Sequence, residues 1–405
     1  MITHVKQLLT AAGIAAAAAT IAVTSAMTGV ANARVLGTSG VQPEVSPVVF
    51  NGTDLVTAAV GANGTLYAYE QVPGAATWQR QVIQTRAGNG GAGLGVPSLA
   101  ATATSVQVVS EDAKGRIWFY QQQDGQASWS AQRVATVANG SVEGVQAPKI
   151  AWTGVPGHTG TNSVITIGDP AGDVLFWYQS GGSWSGETVA SPTQGVGWWA
   201  PDLTATSTGV VIAAIGTNGA FYSWFQPYGG PTWALDGTLG AAAGQSWGAP
   251  ALTWDGVNVA AAAAFRDGTG STLRVAWKSN SAQSWSKESL PGVTDAQPLD
   301  FDPQITFTGF NLGVTAVQQL ATGKQQLDFW WEGATITSFN KEKVATATLP
   351  NAIAASALAA SSVPATAEVA IVAPSTTNDF DTSGLYDWTQ PTGGTGWTRH
   401  TINAP

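Results

Sequence analysis

The chain has no cysteine, two methionines and three histidines in 405 residues, and charged residues make up only 10% of it. Without thiols there can be no disulfide staple, no thiolate nucleophile and no cysteine-bound metal or lipid, so a chain exported from the cell must be stable through its core alone. Beyond residue 33 the only histidines are His158 and His400, which excludes a multi-histidine metal centre. Arginine is sparse and scattered (Arg34, Arg80, Arg86, Arg116, Arg133, Arg266, Arg274, Arg399) and the formal net charge is −9, a poor match for nucleic acid. No second apolar span follows near the C-terminus.

Glycine, alanine, serine, threonine and tryptophan are abundant instead, with 48 Gly and 18 Trp. The stretch 216–240, GTNGAFYSWFQPYGGPTWALDGTLG, is a turn, an alternating apolar run, a glycine loop, one Trp and another short run, and this reads as strand, turn, strand. The same phrase recurs along the chain. Its first apolar residue is Leu66, Ile117, Leu175, Phe221, Leu273, Leu327 and Leu385 in successive copies, a period of about 50 residues that signals propeller blades. Twelve residues further on stand Trp78, Trp129, Trp233, Trp285, Phe339 and Trp397, with Trp184 at nine in the third copy. Each copy opens on a proline (Pro47, Pro97, Pro148, Pro201, Pro250, Pro303, Pro350), which belongs at a strand's first residue because it donates no ladder hydrogen bond.

With a further apolar run before each turn, every copy holds four strands. The expected fold is therefore all-β, a seven-bladed propeller of four-stranded antiparallel blades over residues 47–403. Residues 1–33 combine Lys6, an Ala-rich apolar segment and Ala31-Asn32-Ala33, which fits a cleaved secretory signal; an uncleaved anchor is the rival. The protein is expected to be secreted or held at the cell surface, with no membrane span after signal removal. Residues 34–46 are a lead-in, or a clasp strand closing the ring, since Arg34-Val35-Leu36-Gly37 resembles Arg133-Val134-Ala135-Thr136.

The Gly-Thr-Asn turn, aromatic third strand, Gly-Gly loop and following Trp resemble the repeat of bacterial seven-bladed propeller lectins that bind fucose and related sugars, and more loosely tectonin-type propellers. The resemblance implies shallow sugar sites between adjacent blades, lined by aromatics and short polar side chains, and glycans as partners. The third strand varies between copies, so the sites would not all be equivalent. Ser110-Glu111-Asp112-Ala113-Lys114-Gly115-Arg116-Ile117-Trp118 resembles a sialidase Asp-box with one residue too many, and reads as a turn.

The indoles repeated in phase are expected to wedge between blades. Trp198, Trp199 and Trp247 stand outside that phase, in segments read as connections, and are candidate sugar ledges; capping a neighbouring blade is the alternative. Trp152 and Trp254 share a position four residues after their proline, where either sugar contact or blade packing fits. Asp379, Asp381, Ser383 and Asp387 place oxygens at spacings that can wrap Ca²⁺, or form a polar turn. Asp202, Asp255, Asp300 and Asp302 lie near inner strands, where two facing carboxylates would be needed for a glycosidase. A non-enzymatic carbohydrate-binding propeller is the main reading; a propeller glycoside hydrolase or lyase and a scaffold for protein partners are the alternatives.

Overall fold

The computed structural model describes residues 48–402 apart from 62, 73–74, 76, 103, 138–146, 155–161, 194, 269, 280–281, 283, 294–302, 309–310, 321, 323, 333–337, 349–356, 361–367, 375–384 and 392–395. Short runs of β-branched, aromatic and alanine residues punctuated by glycine turns form seven antiparallel sheets, each made of consecutive strands.

Sheet 1 holds Val49–Phe50, Leu55–Val60, Leu66–Gln71 and Gln79–Gln84. Sheet 2 holds Ser98–Ala101, Ser105–Glu111, Arg116–Gln123 and Ser130–Thr136. Lys149–Trp152, Ser163–Gly168, Val174–Ser180 and Ser183–Ala190 make sheet 3, and Trp198–Ala205, Gly209–Gly216, Phe221–Pro227 and Ala234–Leu239 make sheet 4. In sheet 5 the strands are Ala251–Trp254, Asn258–Arg266, Ser271–Ser279 and Ser286–Ser289, with the two-residue Ser246–Trp247 also paired to the second of these. Sheet 6 comprises Gln304–Phe307, Leu312–Gln319, Lys324–Glu332 and Phe339–Thr348; sheet 7 comprises Ala357–Ala360, Glu368–Pro374, Leu385–Pro391 and Thr398–Ile402.

The first strand of each sheet lies beside the first strand of the next, and that of sheet 7 lies beside that of sheet 1. The second strands of sheets 1 to 4 are buried along their length, as in Leu55–Val60 and Gly209–Gly216. Those of sheets 1, 4 and 5 are rich in alanine, and those of sheets 2 and 3 use valine and isoleucine instead. This is an all-β propeller of four-stranded antiparallel blades.

The in-phase indoles do wedge between sheets. Trp184 meets Phe119 of the preceding sheet edge to face at 5.2 Å, Trp233 meets Phe176 at 4.9 Å, and Trp397 meets Phe329 at 5.4 Å. Trp285 reaches sheet 4, where its Nε1 donates to Ser223 Oγ at 2.9 Å and its ring meets Phe221 at 5.2 Å. The partners Phe119, Phe176, Ser223 and Phe329 all stand two residues after the first buried apolar residue of their third strand. In sheet 3 that residue is Val174 rather than Leu175: Val174 is fully buried and the register shift follows it, as it follows Leu66, Ile117 and Leu327. Counted from Val174, Trp184 stands at ten rather than nine, and the remaining shortening lies in the hairpin, where only Gly181 and Gly182 separate the paired Ser180 and Ser183.

A polar ladder repeats beside the wedges and was missed in the sequence. At five seams the residue three after the wedge accepts from the residue five after the next sheet's anchor. The pairs are Gln122 Nε2 to Gln81 Oε1 (2.8 Å), Gln179 Nε2 to Gln132 Oε1 (3.4 Å), Gln226 Nε2 to Glu187 Oε1 (3.1 Å) and Gln390 Nε2 to Glu342 Oε2 (3.1 Å), with the ion pair of Lys278 and Asp236 in the same role. The phase could have been found, since Gln or Lys recurs at that place.

Two sequence expectations change. The first strand of sheet 7 begins at Ala357 rather than beside Pro350, which lies outside the described residues. Sheet 7 takes all four of its strands from residues 357–402; the clasp segment 34–46 lies outside the described residues. Among them, no helix is long and apolar enough to cross a membrane.

Candidate functional site

Trp198 and Trp247 are not ledges on connections. Both pair in strands, opposite Gly216 and Phe265, and both are buried, at 7% and 2% exposure. Each stands three residues before its proline, a phase they share with buried Leu94, and the backbone explains why. The Trp198 amide donates to Gly172 O at 3.0 Å and the Trp247 amide to Gly219 O at 2.8 Å, so each is stitched onto the glycine turn of the preceding sheet. Those turns need glycine: Gly172 and Gly219 have φ of +88° and +78°, and a Cβ on Gly219 would sit 2.9 Å from Gln245 O. The Trp198 ring then packs edge-on against Tyr222 and Trp224, and Trp247 against Phe265.

Trp152, Trp199 and Trp254 are half-buried. Trp152 packs on the apolar cluster between sheets 2 and 3, and Trp199 and Trp254 on the cluster between sheets 4 and 5 that contains Trp247. Three of the five candidate indoles thus converge on one interface.

Above that interface opens a cavity of about 370 Å³ lined by Gly240, Gln245, Phe265, Arg274, Lys287, Glu288 and Ser289. Gly240 and Gln245 come from the chain passing from sheet 4 to sheet 5. Phe265 ends the second strand of sheet 5, Arg274 faces Ala263 and Ser289 across the third, and Lys287, Glu288 and Ser289 belong to the outer strand. Arg274 follows its buried anchor Leu273 directly, a place held by Tyr67, Trp118, Tyr222 and Tyr386 in other sheets. There Arg80, Arg116 and Arg399 lie 4.5, 5.4 and 5.3 Å over Tyr67, Trp118 and Tyr386. In sheet 5 the cation itself occupies the place and lies 3.5 Å over Phe265. Burial lowers the Arg274 pKa, with Asp267 acting in the opposite sense. Arginine scarcity concealed this arrangement in the sequence, because Arg80, Arg274 and Arg399 each meet an aromatic from a different strand.

The carboxylates considered for catalysis have structural partners. Asp202 accepts the Leu252 amide of the next sheet at 2.7 Å, and burial raises its pKa while Lys149 and that amide oppose the rise. Asp255 caps its own turn through the amides of Val257 and Asn258. Asp300 and Asp302 lie outside the described residues. Asp112 of the Asp-box-like stretch is buried and accepts from the amides of Lys114 and Arg116, from Arg116 Nε, from Trp118 Nε1 and from Asn89 Nδ2. It is a turn whose carboxylate is held by its own neighbours.

Of the calcium candidates, Asp379, Asp381 and Ser383 lie outside the described residues. Asp387 stands two residues after Leu385, the place of a wedge partner, and its buried carboxylate has His400 Nδ1 at 3.5 Å and the indole of Trp78 from sheet 1 beside it. Burial raises its pKa and those two neighbours oppose the rise. Among the described residues no three acidic or histidine side chains are grouped to hold a metal ion.

The fold defines a β-propeller, and comparison with known proteins adds its relatives in shape. No protein-family model and no curated protein sequence matches the chain. A point mutant of the lectin from Aleuria aurantia, in complex with Fucα1-6GlcNAc, superposes with a TM-score of 0.50 at 13% identity, over 76% of this chain and 96% of the lectin. The same mutant with α-methyl-L-fucoside gives 0.50 at 14% over the same shares. A prolyl endopeptidase matches with a TM-score of 0.51 at 14% identity, over 90% of this chain and 50% of that enzyme. At these identities the likeness is one of fold.

Proposed function

We propose that the protein is an exported carbohydrate-binding propeller, in which each of the seven sheets is one blade of a closed ring and saccharides bind in shallow clefts between blades. The observation that carries this reading is the cavity between sheets 4 and 5, where Gln245, Arg274, Glu288 and Ser289 surround a space of about 370 Å³. Such side chains match a sugar's hydroxyls with both donors and acceptors. The propeller fold, shared with a lectin crystallised with fucosides, supports it.

Half-exposed Trp152, Trp199 and Trp254 are the remaining indoles that can lie against a sugar's C–H face. Trp247 belongs to the apolar cluster at this seam, whereas Trp198 packs between sheets 3 and 4. Several weak sites on one ring would gain avidity on a multivalent glycan. Closure of the ring is supported by the circuit of first strands and by Trp78 of sheet 1 sharing an apolar cluster with Ile402 of sheet 7. A scaffold that binds protein, and a hydrolase or lyase, are the competing readings. The structural duties of Asp202 and Asp255 speak against those two residues as a catalytic pair.

A glycan array probed with folded protein tests the proposal. Binding to at least one glycan class, weakened in Trp199→Ala, is expected; binding to none would overturn it in favour of a scaffold.

A further inference from the structure

The cavity between sheets 4 and 5 is lined by two cations, Arg274 and Lys287, with Glu288 in the lining and Asp267 near enough to act on Arg274. Four ion pairs join described residues elsewhere, Arg116 with Asp112, Lys278 with Asp236, Lys341 with Asp328 and His400 with Asp387. Arg274 and Lys287 belong to none of them. Arg274 Nε is buried without a hydrogen-bond partner, a costly state for a charged donor. Its guanidinium is held flat by stacking on Phe265 at 3.5 Å, and lies 5.7 Å from the Trp247 ring, which Lys287 Nζ also approaches to 5.7 Å. Two cations therefore share one aromatic floor with a single carboxylate, Glu288, in the lining. A flat, immobilised guanidinium with no hydrogen bond to the described residues suits an oxygen of an anionic group at its terminal N–H groups.

We infer that this cavity takes the anionic group of an acidic saccharide, a carboxylate or a sulfate, seated on Arg274 with Lys287 beside it. The inference rests on the saccharide reading above and narrows its ligand class. Gln245 and Ser289 then meet the hydroxyls of the same sugar. Glu288 opposes the anion and sets a limit on how tightly it is held. In a chain of formal charge −9, long-range attraction does not favour such a ligand, so selectivity must come from these local contacts.

Calorimetric titration of the folded protein with trigalacturonate, its methyl ester, sulfated maltotriose and maltotriose tests this. At least one anionic probe is expected to bind about tenfold or more tightly than its neutral counterpart, the scale of one charge-assisted hydrogen bond. The preference should weaken as salt is raised, fall by a similar factor in Arg274→Gln and in Lys287→Gln, and grow in Glu288→Gln. Preference for trigalacturonate alone assigns a uronate, and preference for sulfated maltotriose alone assigns a sulfated glycan. Equal affinity for charged and neutral forms, or an unchanged preference in both cation variants, would overturn the inference while leaving the saccharide reading intact. Failure of all four probes overturns the inference, and the glycan array then decides separately whether the broader reading survives. Lys287 is on an outer strand, so its variant keeps the test valid if Arg274→Gln fails to fold.

Discussion

Removing the Trp285 indole should cost more stability than any single turn or surface change, because that side chain is both wedge and hydrogen-bond donor between sheets 4 and 5. It is buried, donates to Ser223 Oγ at 2.9 Å, and fits so closely that a Cβ on Gly237 would stand 2.6 Å from its ring. Burying roughly 150–250 Å² at ~25 cal/mol/Å² gives about 4–6 kcal/mol as an upper bound. Measured core truncations of this kind cost about 3–5 kcal/mol, so Trp285→Ala is expected near 3–5 kcal/mol. Trp285→Phe retains the edge contact with Phe221 but leaves Ser223 without its donor, and about 1–2 kcal/mol is expected. Trp129 is half-exposed and makes only a 3.3 Å bond to Gln81, so its alanine variant should lose roughly half as much as Trp285→Ala. Urea unfolding followed by circular dichroism measures all three, with an unchanged slope certifying that the transition is comparable. A loss below about 1.5 kcal/mol in Trp285→Ala, or an equal loss in Trp129→Ala, would refute the wedge as the main inter-sheet lock.

Further outcomes follow from other residues. Gly219→Ala should destabilise by about 2–3 kcal/mol from its left-handed backbone and the close Gln245 carbonyl, while Gly229→Ala, at φ +72° with nothing nearby, should cost only about 1 kcal/mol; equal losses in thermal or urea unfolding would remove the stitching argument. Hydrogen bonds to Asp112 hold its carboxyl below the usual range despite burial. Its contribution is thus complete above the unfolded pKa and is lost as pH falls through the lower folded value; Asp112→Asn should therefore flatten the acid limb of a stability-versus-pH curve, and an unaltered limb would count against it. For Asp202 the sign is opposite: burial raises its pKa, so ionisation opposes folding at neutral pH and protonation relieves the penalty. Asp202→Asn should match or exceed the parent's stability at pH 7, the difference vanishing in acid; a neutral-pH loss persisting in acid would show that its hydrogen bond to Leu252 outweighs its charge. N-terminal sequencing of secreted protein should begin at Arg34, and retention of the first 33 residues would indicate an anchor.

The repeating indoles were legible because a strand's period and a turn's glycine are local properties, and repetition exposes them. The wedge role of Trp184, Trp233 and Trp285 followed directly. Trp198 and Trp247 were misread because the third described member of their phase is Leu94, so no shared residue type marked the position. The ladder from Gln81 and Gln122 to Glu342 and Gln390 was visible as spacing, but its meaning needs two sheets side by side. Arg274 showed in the sequence only as a departure in a variable third strand, at a place that four other sheets give to aromatics, and its stacking partner Phe265 lies on a different strand.

By itself, the order of residues determined strands, turns and the beat at which sheets recur, since these depend on neighbours a few positions apart. Which indoles are covered, which carboxylates are occupied and where two cations are left facing a cavity were decided only when sheets came together. Burial and electrostatic pairing are properties of surfaces that meet, and in this protein the surfaces meeting at each seam come from residues some forty or more apart.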